Sequence, residues 1–190
     1  NKKGTEPLAT AVATAVWMTC RRKESPMRVL VTFGSKHGGT AGIAEVIGDE
    51  LAKTGHEPTV VPATEMRPPQ EFVAVVIGGA LYSARWQRDA RRYVARFRSD
   101  LRKLPVWFFS SGPLDGSAVD GIAPTHHVKK LMDRVRAIGH ITFGGRLESD
   151  AEGFIAGAMA KNSAGDWRDE AHIRAWADEI SQSLTSRHVA

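Results

Sequence analysis

The chain has 190 residues, 42% hydrophobic and 25% charged, with one cysteine and a net charge of +5. That composition suits one globular domain with a sizeable core, and the lone Cys20 excludes a disulfide framework or a cysteine-based metal cage and fits a reducing compartment. The charge is polarised, with +3 on residues 1–26, +6 on residues 85–103 and an acidic balance elsewhere, which points to a basic face rather than to a nucleic-acid-binding protein.

Residues 1–26 follow neither strand nor helix periodicity. Their apolar stretch "LATAVATAVWMTC" is 13 residues long, too short to span a bilayer. Arg21 and Arg22 follow it directly, which does not suit a signal peptide. We read this segment as an N-terminal extension, disordered or a non-native start, and expect the domain to occupy residues 27–190. From Met27 onward, short apolar runs alternate with helical periodicity. Strands are expected at Arg28–Phe33, Pro58–Val61, Val73–Ile77, Val106–Ser110 and His140–Phe143.

Apolar residues at helical spacing lie between and after them. The first stripe is Ile43, Ala44, Val46, Ile47 and Leu51, and the second is Trp86, Ala90, Tyr93, Val94, Phe97, Leu101 and Leu104. Val128, Leu131, Met132, Val135 and Ile138 form a third stripe. Ile173, Trp176, Ala177, Ile180 and Leu184 form a fourth, with Asp166 and Asp169 as the expected cap and first-turn acid. This alternation predicts an α/β protein with a five-stranded, doubly wound parallel sheet and helices on both faces. Such sheets bind ligands beyond the carboxyl ends of their strands. The segments to search are therefore Gly34–Thr40, Gly78–Trp86, Ser110–Ser117 and Gly144–Glu148.

The first of these, "GSKHGGT", joins a strand to a helix whose N-terminal amides and dipole favour an anion. Gly34 and Gly39 have the spacing of a nucleotide-binding P-loop, but Thr40 stands where the lysine belongs. A G-x-G-x-x-G dinucleotide fingerprint is absent. A phospho-receiver would need an aspartate at the end of the third strand, where this chain has Gly78 and Gly79. What remains is a hydroxyl-and-amide cradle for a phosphate monoester, built from Ser35, Lys36, His37, Gly38, Gly39 and Thr40; a bare helix-capping turn is the alternative.

The segment "SKHGGT" resembles the phosphate loop of the flavodoxins, [ST]-x-[ST]-G-x-T, with His37 in place of the middle hydroxyl. Further along, "VVIGGALYSARWQRDARRYVARF" and "LPVWFFSSGPL" resemble the flavodoxin-domain proteins related to menaquinone-dependent protoporphyrinogen dehydrogenase. The resemblance implies the strand order 2-1-3-4-5 and FMN as cofactor. By the same carry-over, Ala80, Leu81, Tyr82 and Ser83 would flank one side of the isoalloxazine ring, with Ser110, Ser111 and Gly112 on the other. It further implies an oxidoreductase taking electrons from a porphyrinogen-type substrate to a quinone. The stretch after the last strand, "RLESDAEGFIAGAMAKNSAG", departs from that enzyme in being shorter and partly acidic.

Trp86 is read as core and Tyr82 as a flavin contact. The adjacent His126 and His127 are read as surface residues with no metal role. Arg85, Arg88, Arg92 and Arg96 would form one stripe on a helix from Arg85 to Lys103. That stripe offers a dock for an acidic redox partner, an anionic membrane surface or a carboxylate-bearing substrate. The expected protein is cytoplasmic, peripheral to the inner membrane face if that dock is used. No residue presents itself as a catalytic acid, base or nucleophile. The competing functions are a non-enzymatic flavin electron carrier and a flavodoxin-fold module that lacks flavin or takes a deazaflavin.

Overall fold

β-branched and aromatic runs make the strands. Arg28–Gly34 (β1), Glu57–Pro62 (β2), Ala74–Tyr82 (β3), Val106–Ser111 (β5) and Gly139–Phe143 (β6) pair in parallel in the order β2-β1-β3-β5-β6. The computed structural model describes residues 26–36, 38–112, 122–147 and 165–189, so the expectation for the N-terminal extension lies outside the described residues. A two-residue strand, Arg85–Trp86 (β4), folds back antiparallel on the end of β3. Arg146–Leu147 (β7) and Gly165–Asp166 (β8) form a separate small pair. Counting only the parallel strands, the order is the expected 2-1-3-4-5.

Strand side chains alternate between two cores. On one face, Val29, Val31, Ala74, Val76 and Phe109 pack against Gly39–Lys53 (α1) and Glu170–Val189 (α5). On the other, Leu30, Val75, Ile77 and Phe108 pack against Arg88–Arg96 (α2), Arg98–Leu101 (α3) and His126–Val135 (α4). The apolar stripes read from the sequence supply most of the helix faces that close these cores, but Trp86 of the second stripe belongs to β4, and Ile138 of the third lies beyond α4 and is 43% exposed.

Three expectations are corrected. First, Gly78 and Gly79 do not begin a loop, because β3 continues to Tyr82. The glycines are needed because rings lie on them from both faces. A Cβ on Gly78 would stand 2.0 Å from the Phe109 ring, and one on Gly79 would stand 2.4 Å from the Trp86 ring.

Second, Arg85 is not helical. It pairs with Tyr82 across a two-residue turn in which Ser83 (φ 47°) and Ala84 (φ 61°) both adopt left-handed backbone, the geometry that matches the twist of a tight hairpin. The α2 helix starts only at Arg88, where the Gln87 side chain accepts a hydrogen bond from Asp89 N at 2.6 Å. It ends at Phe97, before α3. Third, Asp169 rather than Asp166 caps α5, accepting from His172 N at 3.1 Å. Asp166 lies in β8 and receives the Arg168 guanidinium at 2.5 and 2.8 Å.

Overpacking at the β3 glycines predicts a specific loss. Gly79→Ala and Gly78→Ala should each destabilise the fold by about 1–3 kcal/mol, read as a lower midpoint in urea unfolding with an unchanged slope. Unchanged midpoints would show that the rings can move away.

Candidate functional site

The carboxyl ends of β1, β3 and β5 lie side by side, with Gly34 opposite Gly79 and Gly79 opposite Ser110 in register. The order reverses between β1 and β3, so this is the edge where a doubly wound sheet opens a binding crevice. Gly38 ends the first loop as the N-cap of α1, in left-handed backbone with φ 74°, and a Cβ there would meet nothing within 4 Å. The helix start has no side-chain cap and no acid in its first turn. Its leading amides are therefore free of the two protein groups that commonly satisfy such donors.

Thr40 sits inside that first turn, 1% exposed, and its Oγ1 is buried without a hydrogen-bond partner. Burying an unpaired hydroxyl costs about 1–3 kcal/mol. A ligand that accepts from it would recover that cost. Ser35 is half-buried and Lys36 exposed, while His37 lies outside the described residues. Lys36 Nζ stands 5.9 Å from the centre of the Tyr82 ring, so the first loop and the β3–β4 hairpin meet across the crevice.

On the other side Gly112, at φ 127°, lies where an added Cβ would stand 3.6 Å from Leu81 Cβ, and it donates its N–H to Phe143 O at 3.1 Å. Ala80 pairs in register with Ser111, and both are buried. The structure thus gathers Ser35, Lys36, Gly38–Thr40, Ala80–Ser83, Ser111 and Gly112 at one edge. Tyr82 is 43% exposed there. The segment after Gly112, from 113 to 121, lies outside the described residues.

Ser110 is placed differently. It is 1% exposed, and its Oγ accepts from Trp86 Nε1 at 2.9 Å and meets His140 Nε2 at 2.9 Å. Its hydroxyl is engaged within the protein rather than directed to the crevice. Trp86 is core, as expected, and packs on Phe108 with ring centroids 4.6 Å apart.

His140 was not singled out from the sequence, where it reads only as the start of a strand. Its Nδ1 is buried without a partner. An imidazolium needs acceptors for both N–H groups, so burial pushes the His140 pKa down to about 4. Arg168 was also missed: its guanidinium lies 2.1 Å from where a Cβ on Gly42 would stand, bringing a cation against the first turns of α1. Only the missing side chain at Gly42 hints at that contact in the sequence. Among the described residues there is no cluster that could hold a metal ion, and no helix is long and apolar enough to cross a membrane.

The family model of the flavodoxin domain matches residues 30–159, more than half of the chain. The chain belongs to the flavodoxin-domain family. Flavodoxin domains bind FMN. Among solved structures, this flavodoxin domain is similar to rubredoxin:oxygen oxidoreductase from Desulfovibrio gigas. The TM-score is 0.60 at 12% identity, over 88% of this chain and 39% of that one. It therefore spans well under half of that longer protein.

It is also similar to a flavodoxin from the domain Archaea, with TM-score 0.54 and 13% identity over 84% of this chain and 99% of that one. A single-site variant of the Pseudomonas aeruginosa flavodoxin gives TM-score 0.56 and 15% identity, over 84% and 99% of the two chains. At these identities the likeness is one of fold. No curated protein matches the chain in sequence.

The state of His140 sets a pH dependence. Its pKa is depressed in the folded protein, so its contribution to stability is fully present above the unfolded value of 6.5 and is lost as pH falls toward about 4. Over that interval the loss should reach up to about 3 kcal/mol. His140→Gln should flatten this part of the stability-versus-pH curve in urea unfolding. An unchanged acid limb in the variant would show that His140 does not cause it.

Proposed function

We propose that this flavodoxin domain, formed by residues 27–190, binds FMN and serves as a flavin-dependent oxidoreductase. The observation that carries the reading is the anion cradle at the head of α1: an uncapped helix start behind a left-handed glycine, with a buried, unpartnered Thr40 hydroxyl. These features fit a phosphate monoester. Gly38, Gly39, Thr40 and Ser35 would hold the phosphate, with Lys36 adding charge and His37 a further donor. Ala80–Ser83 and Ser111–Gly112 would hold the ring, with Tyr82 offering its exposed face. The bound FMN would supply one- or two-electron transfer, and the surrounding backbone amides and charges would tune it.

The resemblance to protoporphyrinogen-dehydrogenase-like proteins supports a porphyrinogen-type donor and a quinone acceptor as the finer assignment. A second reading, a non-enzymatic electron carrier, is favoured by Arg88, Arg92 and Arg96, which stand exposed along α2 with no carboxylate partner among the described residues. Such a face suits an acidic redox protein. The FMN-loaded protein separates the two. The enzyme should turn over a reduced porphyrinogen with a soluble quinone, whereas the carrier should be reduced and reoxidised by protein partners alone.

The cradle itself is tested by comparing FMN with riboflavin, which lacks the phosphate, in a flavin-fluorescence titration. FMN should bind at least about 100-fold more tightly. Thr40→Val should weaken FMN by about tenfold or more while leaving riboflavin unchanged. Thr32 is the control: it too is buried with an unpartnered hydroxyl, but in the middle of the sheet. Thr32→Val should leave both affinities unaltered. Equal affinity for FMN and riboflavin would contradict the proposal.

A further inference from the structure

A second group of cations gathers away from the phosphate cradle, on the α2–α4 side of the sheet. Arg85 comes from the β4 hairpin, Arg91 from α2, and His127, Lys130 and Arg134 from α4. Their elements are tied together locally. Thr125, the N-cap of α4, donates its hydroxyl to Ala84 O at 2.8 Å, fixing the start of α4 to the tip of the hairpin. The charges of Arg91, Arg85, Arg134 and Lys130 all act on the His127 imidazole. After burial, which is the larger cause, they hold His127 below the ordinary histidine pKa.

Like charges gathered on neighbouring elements repel one another. The acids on the same elements do not relieve that repulsion. Asp89 accepts from Gln87 Nε2 at 2.6 Å, and Asp133 pairs with Lys129. The α4 helix has no acid in its first turn. Two polar atoms within the cluster, Arg91 Nε and His127 Nδ1, are buried without partners. A half-buried guanidinium with an unused N–H, beside an imidazole with an unused nitrogen, lacks only an acceptor.

We propose that Arg85, Arg91, His127, Lys130 and Arg134 form an oxyanion-binding site, distinct from the α1 cradle, that takes the carboxylate or phosphate group of a small-molecule ligand. Arg91 is the anchor, because its planar fork suits both groups and its Nε already points into protein rather than water. Arg85 connects this site to the sheet edge, since it stands opposite Tyr82 in the hairpin register. A ligand held here by its oxyanion would have the rest of its body within reach of the crevice.

The site does not depend on FMN, and its test keeps the two separate. Citrate and inorganic phosphate serve as probes of the full-length, FMN-saturated protein in isothermal titration at constant ionic strength set with potassium chloride. One saturable site is expected, and the tighter of the two probes distinguishes a carboxylate ligand from a phosphate ligand. Arg91→Gln and His127→Gln should each weaken the tighter probe by about tenfold or more, with FMN retention unchanged. Arg102→Gln, exposed beyond the break at Phe97, should have no effect.

Thr40→Val should lower FMN retention and leave citrate binding intact, so failure of the cradle and failure of this site give different patterns. The proposal is overturned if no saturable heat appears, or if Arg102→Gln weakens binding as much as Arg91→Gln. It is also overturned if the arginines instead bind phosphatidylglycerol vesicles and citrate does not displace them.

Discussion

Two aromatic rings lying on two bare α-carbons organise this molecule. Phe109 covers Gly78 from one face of the sheet and Trp86 covers Gly79 from the other. With side chains at both positions, neither ring could sit against the strand. Because they do sit there, β3 continues past its neighbours and turns back through β4. The carboxyl edge of the sheet is then built around a hairpin instead of an open loop. Truncating a buried aromatic of this size typically costs about 3–5 kcal/mol, so the arrangement is also a substantial part of the fold's stability.

The same contact reaches the site from both sides. Trp86 turns its indole N–H to Ser110, and Ser110 meets His140 on the edge strand, so one hydrogen-bonded line crosses the hairpin, β5 and β6. That line withdraws the Ser110 hydroxyl from the crevice and leaves Ser111, Gly112 and the hairpin backbone to face it. Tyr82 and Arg85, paired across the left-handed Ser83–Ala84 turn, then link two groups of residues. Tyr82 meets Lys36 of the β1–α1 loop, while Arg85 joins the cations around His127. A left-handed alanine costs on the order of 1 kcal/mol, and the Thr125 hydroxyl, donating to Ala84 O, helps hold it.

Much of this was legible in the sequence, and the misses have physical causes. The strands were readable because apolar runs in a parallel sheet buried on both faces are nearly continuous. The helices were readable from stripes such as Ile173–Leu184, which the α5 face reproduces. The Gly34–Thr40 junction stood out because three glycines and hydroxyls between a strand and a helix are a local signal.

The Gly78–Gly79 pair was misread as a loop because glycine's commonest meaning is backbone freedom. Here it means space for a ring, and that depends on residues 7 and 31 positions away. Arg85 fitted a helical arginine stripe by spacing, and nothing local shows that Ser83 and Ala84 adopt left-handed backbone. His127 reads as surface in the sequence and is half-buried in the fold; Lys130 and Arg134 follow it on α4, and only Arg85 and Arg91 are brought near it by tertiary packing. Asp166 looked like a cap because a β8 residue two positions from Arg168 has the same short-range composition as a helix start.

The central claim is that the uncapped head of α1, with Thr40 buried behind Gly38, is a phosphate cradle for FMN. The visible absorption spectrum of the full-length protein, recorded after incubation with FMN and desalting, tests it most directly. The account predicts a two-band flavin spectrum that persists through desalting at close to one flavin per chain. A colourless protein after desalting would contradict it, and the loop "GSKHGGT" would then have to serve another anion or only start a helix.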